Sequence, residues 1–369
     1  MKSLRAIVWL MAGLLAHGAA MAQIKVGQTA GFTGPVAAGV KEITDGARLY
    51  LDAVNAKGGV NGQTIELISL DDNFKPAEAA KNAKKLIDQG VVALFLTRGT
   101  PHSQAILPLL AEHKLPLVGP STGAMALHQP VNPWVFNVRA TYQREAERAV
   151  SHLASIGMQK IAIIQVDDPF GADAATGALK GFKAPVTAPV LHEKYDRTKP
   201  DFSAIVPKVV ASQAQAIMFI GSGDAVVDGI NQLRAAGSRA QLVTLSNNAS
   251  AGFVKSLKDH ARGTIVSQVF PYERSLAAPI VKEAHDLAVA KGLAEVSPAM
   301  LEGFAAAKVL VEGLRRAGKD LTRSSLQRAL DSMNRVDIGG LEVSYSPGDH
   351  TGLVYSELSI VGSDGRFKR

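Results

Sequence analysis

The chain has 369 residues, a formal charge of +7 and no cysteine. Without thiols there are no disulfides, no thiolate metal sites, no cysteine nucleophile and no lipid-bearing cysteine behind a cut leader. The mild positive charge is spread along the chain, with no dense Lys/Arg run interleaved with aromatics, which argues against nucleic acid as a partner. Lys2 and Arg5, the apolar run Ala6–Leu15 and the small residues Ala20-Met21-Ala22 predict a secretory signal peptide cut after Ala22. That run is shorter than the ~20 residues a membrane helix needs, and no later run is longer, so no direct membrane insertion is expected. The remaining length predicts about two domains.

Strand and helix patterns then alternate. Ile24-Lys25-Val26-Gly27 reads as a strand, followed by the turn Gly31–Pro35 and a helix to Lys57 with Ile43, Ala47, Tyr50, Leu51 and Val54 at helical spacing. Gly58-Gly59 stops it. Strand Thr64–Leu70, helix Pro76–Gln89, the apolar run Val91–Leu96, helix Ser103–His113 and strand Leu115–Val118 complete a first series. A second begins with helix Tyr142–Ile156. Strand Ile161–Val166, helix Gly171–Phe182, strand Ala216–Ile220, helix Ala225–Ala236, and strands Leu242–Leu245 and Thr264–Val269 follow. Helices Ser275–Lys291, Pro298–Ala317 and Arg323–Ser332 come next, and the strand-like Gly340–Val343 and Val354–Ile360 end the chain. Uninterrupted apolar strands between helices predict an α/β protein with two Rossmann-like lobes, each a parallel-rich sheet covered by helices on both faces. The extra helices after two βα series imply a return to the first lobe and several crossings that form a hinge.

In open parallel sheets a ligand sits outside the carboxyl ends of the strands, where helix N-termini present free N–H groups. Thr97-Arg98-Gly99-Thr100 follows one such strand and Gly119-Pro120-Ser121-Thr122-Gly123 the next. Together they offer an anion cradle, although Ser and Thr serve equally as ordinary N-caps. Arg98 can pair bidentately with a carboxylate, or with a structural acid such as Asp71 or Asp72. In the second series Phe170, Ser222, Ser246 and Asn247 end strands, and Tyr272 stands at a crossing as an aromatic wall. No Gly-x-Ser-x-Gly elbow or His-Glu-x-x-His is present, and the scattered histidines have no metal-ligand spacing. No catalytic residue, metal or cofactor is expected.

Several stretches together resemble the periplasmic substrate-binding proteins of ABC importers, in the leucine/isoleucine/valine-binding branch with the type I fold. They are Phe32-Thr33-Gly34-Pro35, Asp45-Gly46-Ala47, Val54-Asn55-Ala56-Lys57-Gly58-Gly59-Val60-Asn61-Gly62, Asp71-Asp72, Gly119-Pro120-Ser121, Val138-Arg139, Phe170-Gly171 and Leu233-Arg234-Ala235-Ala236-Gly237. The resemblance implies a three-crossing hinge, with one lobe at 24–139 plus 270–343 and the other at 140–269 plus 344–369. It implies a periplasmic monomer that captures a small polar or carboxylate-bearing solute, amino-acid-like, an amide or an organic or aromatic acid. The solute would pass to ABC permease membrane subunits. The family's carboxylate cradle falls on Thr100, Ser121 and Gly123. Gly123 stands where Thr or Ser is usual, with Thr122 beside it as a substitute. The second-lobe aromatic falls on Phe170, a further aromatic position on Ser222, and the acid that pairs with an ammonium near Ser246, where there is no Asp or Glu. An aromatic of the first lobe falls near Gly39. Two other readings stay open: a ligand sensor acting on a receptor or regulator, and an exported amide or ester hydrolase with Thr100, Ser121 or Ser222 as nucleophile.

Overall fold

A computed structural model describes residues 23–369. The signal peptide expected at residues 1–22 lies outside the described residues. The first sheet is five-stranded and wholly parallel, in the order β2-β1-β3-β4-β5. Its strands are β1 (Ile24–Ala30), β2 (Ile65–Asp71), β3 (Ala93–Phe95), β4 (Leu117–Val118) and β5 (Val135–Phe136). Helices α1 (Ala37–Ala56), α2 (Pro76–Asp88) and α3 (Thr100–His113) connect them. Asn55, near the end of α1, explains part of the Asn-Ala-Lys-Gly-Gly motif. Its side-chain amide donates to the carbonyl of Ile65 and its oxygen accepts from the Ile65 amide, both at 2.8 Å. One side chain thus fixes where β2 starts, while Gly58 and Gly59 turn the chain at φ of 95° and 75°.

The second sheet has the order β14-β13-β10-β9-β8-β6-β7. Strands β6 (Ile161–Val166), β7 (Leu191–Tyr195), β8 (Ala216–Ile220), β9 (Gln241–Thr244) and β10 (Ile265–Gln268) run parallel. Strands β13 (Glu357–Val361) and β14 (Phe367–Lys368) are added antiparallel. This lobe carries α4 (Tyr142–Ser155), α5 (Pro169–Lys180), α6 (Ile205–Ala211), α7 (Asp224–Ala235) and α8 (Ala251–Ser256). Helices α9 (Pro279–Ala290), α10 (Pro298–Ala317) and α11 (Arg323–Asp331) return to the first lobe, with the ribbon β11 (Val336–Asp337) and β12 (Glu342–Val343).

The helix expected from Ser275 begins only at Pro279, because residues 275–278 form turns and a proline suits the first helical position. Strand β7 and helix α6 were not expected. β7 is an edge strand, Leu-His-Glu-Lys-Tyr, and shows no apolar run.

The apolar cores follow the two sheets. Ala140 belongs to the first core and Tyr142 to the second; Val266 to the second and Val269 to the first; Leu353 to the first and Val361 to the second. The chain therefore crosses three times. The last crossing falls after Leu353 rather than at 343/344, because Tyr345 and Leu353 are packed with the first core.

Helices α1 and α10 meet closely. A Cβ on Gly46 would lie 1.9 Å from the Met300 carbonyl oxygen, and one on Gly303 would lie 1.8 Å from that of Ile43. Only glycine permits this backbone contact, which accounts for the glycine of Asp45-Gly46-Ala47.

Candidate functional site

Arg98 sits in the turn between β3 and α3, where both strand and helix direct it toward the other lobe. It is 4 % exposed. Its Nη1 donates to Ser121 Oγ at 2.8 Å, and its Nη2 donates to the backbone carbonyl of Asn247, in the second lobe, at 2.6 Å. No carboxylate among the described residues comes within ion-pair distance of it. Asp71 instead accepts from Thr33 and the Asn73 amide, and Asp72 from Thr29 and the Phe74 amide. A buried guanidinium met by neutral acceptors alone is costly, and an anion delivered from outside would remove that cost.

The turn after β9 supports the partner carbonyl. Asn247 donates to the Gly221 carbonyl at 2.8 Å and to Ser222 Oγ at 3.0 Å, while its own Oδ1 is buried without a partner. Asn248 ties the same turns together through the Gly221 carbonyl and the Gly223 amide. Beside Arg98 lies a space of about 30 Å³, walled by Pro35, Gly39, Asn247, Asp224 and Ser250. Pro35 and Asp224 also wall a chamber of about 360 Å³, with Phe74, Tyr195, Arg197 and Ser222. The inner space holds little more than a water molecule, so a metabolite reaching Arg98 must enter through the larger chamber or part the lobes.

At the mouth, Arg197 of the second lobe stands 5.1 Å from the ring centre of Phe74 of the first and pairs with Asp168. His102 stacks on the same ring at 4.4 Å. Neither His102 nitrogen has a hydrogen-bond partner, and burial above all lowers the imidazole to about 4.

Four expected site residues stand elsewhere. Ser246 is part of the hinge: Arg139 Nη2 donates to its Oγ at 2.7 Å, and its amide donates to Glu145 Oε2 at 3.0 Å. Phe170 packs edge-on against Tyr142, 4.8 Å between ring centres, inside the second core. Tyr272 donates from its hydroxyl to the Phe367 carbonyl at 3.1 Å and holds the last strand. Gly123 lies against the first crossing, where a Cβ would come within 2.6 Å of the Ala140 carbonyl oxygen, so the Thr or Ser usual there has no room. Thr100 and Thr122 are buried and bonded to each other at 2.8 Å.

Sequence reasoning missed Phe74, Arg197 and Asp224. Asp224 follows the Gly221-Ser222-Gly223 turn directly, and that position was the available signal. An acid therefore does stand on the second-lobe side of the cleft, and burial raises its carboxyl above the usual range.

The hinge is electrostatic. Arg139, 1 % exposed, pairs with Glu145 of α4, and Glu302 of α10 approaches to 3.8 Å. The Tyr142 ring lies 4.6 Å from its guanidinium carbon, and Ser267 of β10 donates to Glu145. Residues of both lobes thus share one buried cation.

Two sheet-centred lobes, three crossings and a cleft with an unneutralised guanidinium define a solute-binding protein. Residues 23–361 match the family described as periplasmic binding protein, and the chain belongs to that family, in its leucine/isoleucine/valine-binding branch with the type I fold. It is 26 % identical to a Leu/Ile/Val-binding protein of Rhizobium johnstonii over 94 % of both chains. Its structure is similar to a substrate-binding periplasmic protein from Ralstonia solanacearum, with a TM-score of 0.86, 33 % identity, and 94 % of this chain and 99 % of that one covered. A possible leucine/isoleucine/valine-binding protein from Rhodopirellula baltica gives 0.88 at 26 % identity, covering 96 % and 98 %.

Proposed function

We propose that the protein captures a small carboxylate-bearing metabolite in the periplasm and hands it to the membrane subunits of an ABC permease. The observation that carries this reading is Arg98, buried at the cleft with no carboxylate partner among the described residues. The ligand's carboxylate takes the place of the Asn247 carbonyl on Nη2 and shares Nη1 with Ser121. Asn247, Ser222 and Asp224 face it from the second lobe, and Asp224 suits a positive or hydrogen-donating group at the other end. An amino-acid-like solute fits that pair of poles, and an organic acid with a donor group fits it as well.

The protein works as a monomer that closes by hinge motion around the three crossings, and it returns its ligand chemically unchanged. The Thr100 and Ser121 hydroxyls bond to Thr122 and Arg98, and among the described residues neither is hydrogen-bonded to a histidine or lysine; this favours binding over hydrolysis. Mass spectrometry of the small molecule released on gentle denaturation of the purified protein tests the reading. A carboxylate recovered intact supports it, while recovery of a neutral compound or of cleavage products would sink it. Uptake of that compound by a strain lacking the protein separates delivery to a permease from sensing.

A further inference from the structure

We propose that a second ligand pocket, for a small ammonium with an apolar body, lies at the lobe junction around Glu273. It is a cavity of about 340 Å³ and shares no lining residue with the cleft. Val296, Pro298, Met300 and Phe367 supply apolar wall. Glu42 and Met300 come from the first lobe, Ala251 and Phe367 from the second.

The charges around the cavity are engaged, with one exception. Glu42 accepts from the Ala251 and Gly252 amides. Glu295 pairs with Arg274 and Arg366, and Arg369 with Glu357. His285 Nε2 donates to the Glu273 backbone carbonyl at 3.1 Å. The Glu273 carboxyl is the exception: the residue is 5 % exposed, no cation among the described residues lies within ion-pair distance, Arg274 and Arg369 act on it only from farther off, and the hydrogen bond it receives comes from its own amide. Burial, the largest influence, pushes this carboxyl up to about 7. A buried acid at the wall of an apolar cavity matches an alkylammonium, which makes the pair that Glu273 lacks and covers its own carbon body. Below about pH 7, binding makes the Glu273 carboxyl release its proton to solvent. A primary amine keeps its own, as a lysine side chain does below about 10.4.

Calorimetric titration of the mature protein with phenethylamine tests the proposal. Binding is expected at pH 8 and should weaken toward pH 6, where proton release is seen as a heat that depends on the buffer. It should persist in Arg98→Ala. It should fall at least about tenfold in Glu273→Gln, the loss of one hydrogen bond to a charged group. Ala294→Trp, at the exposed rim, should block the pocket without touching Glu273, which covers the case in which Glu273→Gln does not fold. Absence of binding at pH 8, unchanged affinity in both pocket variants, or loss of binding in Arg98→Ala would overturn it.

Discussion

The Arg98 guanidinium of the first lobe donates to the Asn247 carbonyl of the second across 2.6 Å. The same group is therefore the closure contact and, in the proposed function, the ligand hook. Arg98→Ala should weaken binding of a carboxylate ligand by about 1.5–3 kcal/mol, the range for hydrogen bonds to a charged group. Arg98→Lys keeps the charge but loses the fork that reaches Ser121 and Asn247 together, and it should recover a part of the loss. Titration calorimetry with the compound released from the wild type measures both, and unchanged affinity in Arg98→Ala would remove the residue from the site.

Gly39 offers a steric test. A Cβ there stands 3.9 Å from both Arg98 Nη2 and Ser250 Oγ, an ordinary contact distance. Gly39→Leu should fold with stability within about 1 kcal/mol of wild type, since the half-exposed helical site gains propensity, yet fill the space beside Arg98. The expected result is an unchanged melting point without ligand and no ligand-induced rise in it.

Arg139 is the hinge counterpart. Its removal leaves Glu145 and Glu302 buried with no cation between them. Arg139→Met should cost about 3–5 kcal/mol by denaturant unfolding, and the double variant with Glu145→Gln should cost less than the sum of the singles. Strict additivity would show that the two do not act as one network.

Acid stability has a sign that can be worked out. His102 and His128 are lowered to about 4, chiefly by burial. Folded protein then binds fewer protons than unfolded protein between the ordinary histidine value and 4. Stability from these residues is full above that value and falls as pH drops toward 4. Asp72 and Glu273, raised to about 6 and about 7 by burial, act in the opposite sense, losing stability as pH rises. Comparing unfolding of wild type and His102→Leu from pH 7 to pH 4 isolates the histidine. The wild type should lose up to about 3 kcal/mol more than the variant. Parallel curves would mean that His102 is not desolvated.

The alternation of strands and helices was legible because buried parallel strands such as β6 and β8 are apolar throughout. The loop positions of Arg98, Ser222 and Asn247 followed from where strands end. Ser246 and Phe170 follow strands too, but Ser246 touches Arg139 only through the fold, 107 positions away in sequence. An aromatic at a strand end packs inward or outward according to neighbours that local pattern does not reveal, and Phe170 turns toward Tyr142. Arg197 was hidden for a further reason: it follows the polar edge strand β7, which carries no periodic signal.

The glycine contact between α1 and α10 joins positions 46 and 303 of the chain. Everything that builds the second lobe as far as β10 is made between them. During synthesis or export from the amino end, the second lobe can complete its sheet, apart from β13 and β14, while the first still lacks the helix that covers α1. The first lobe closes around an insert that has already begun to fold, and the apolar face of α1 stays uncovered until α10 arrives.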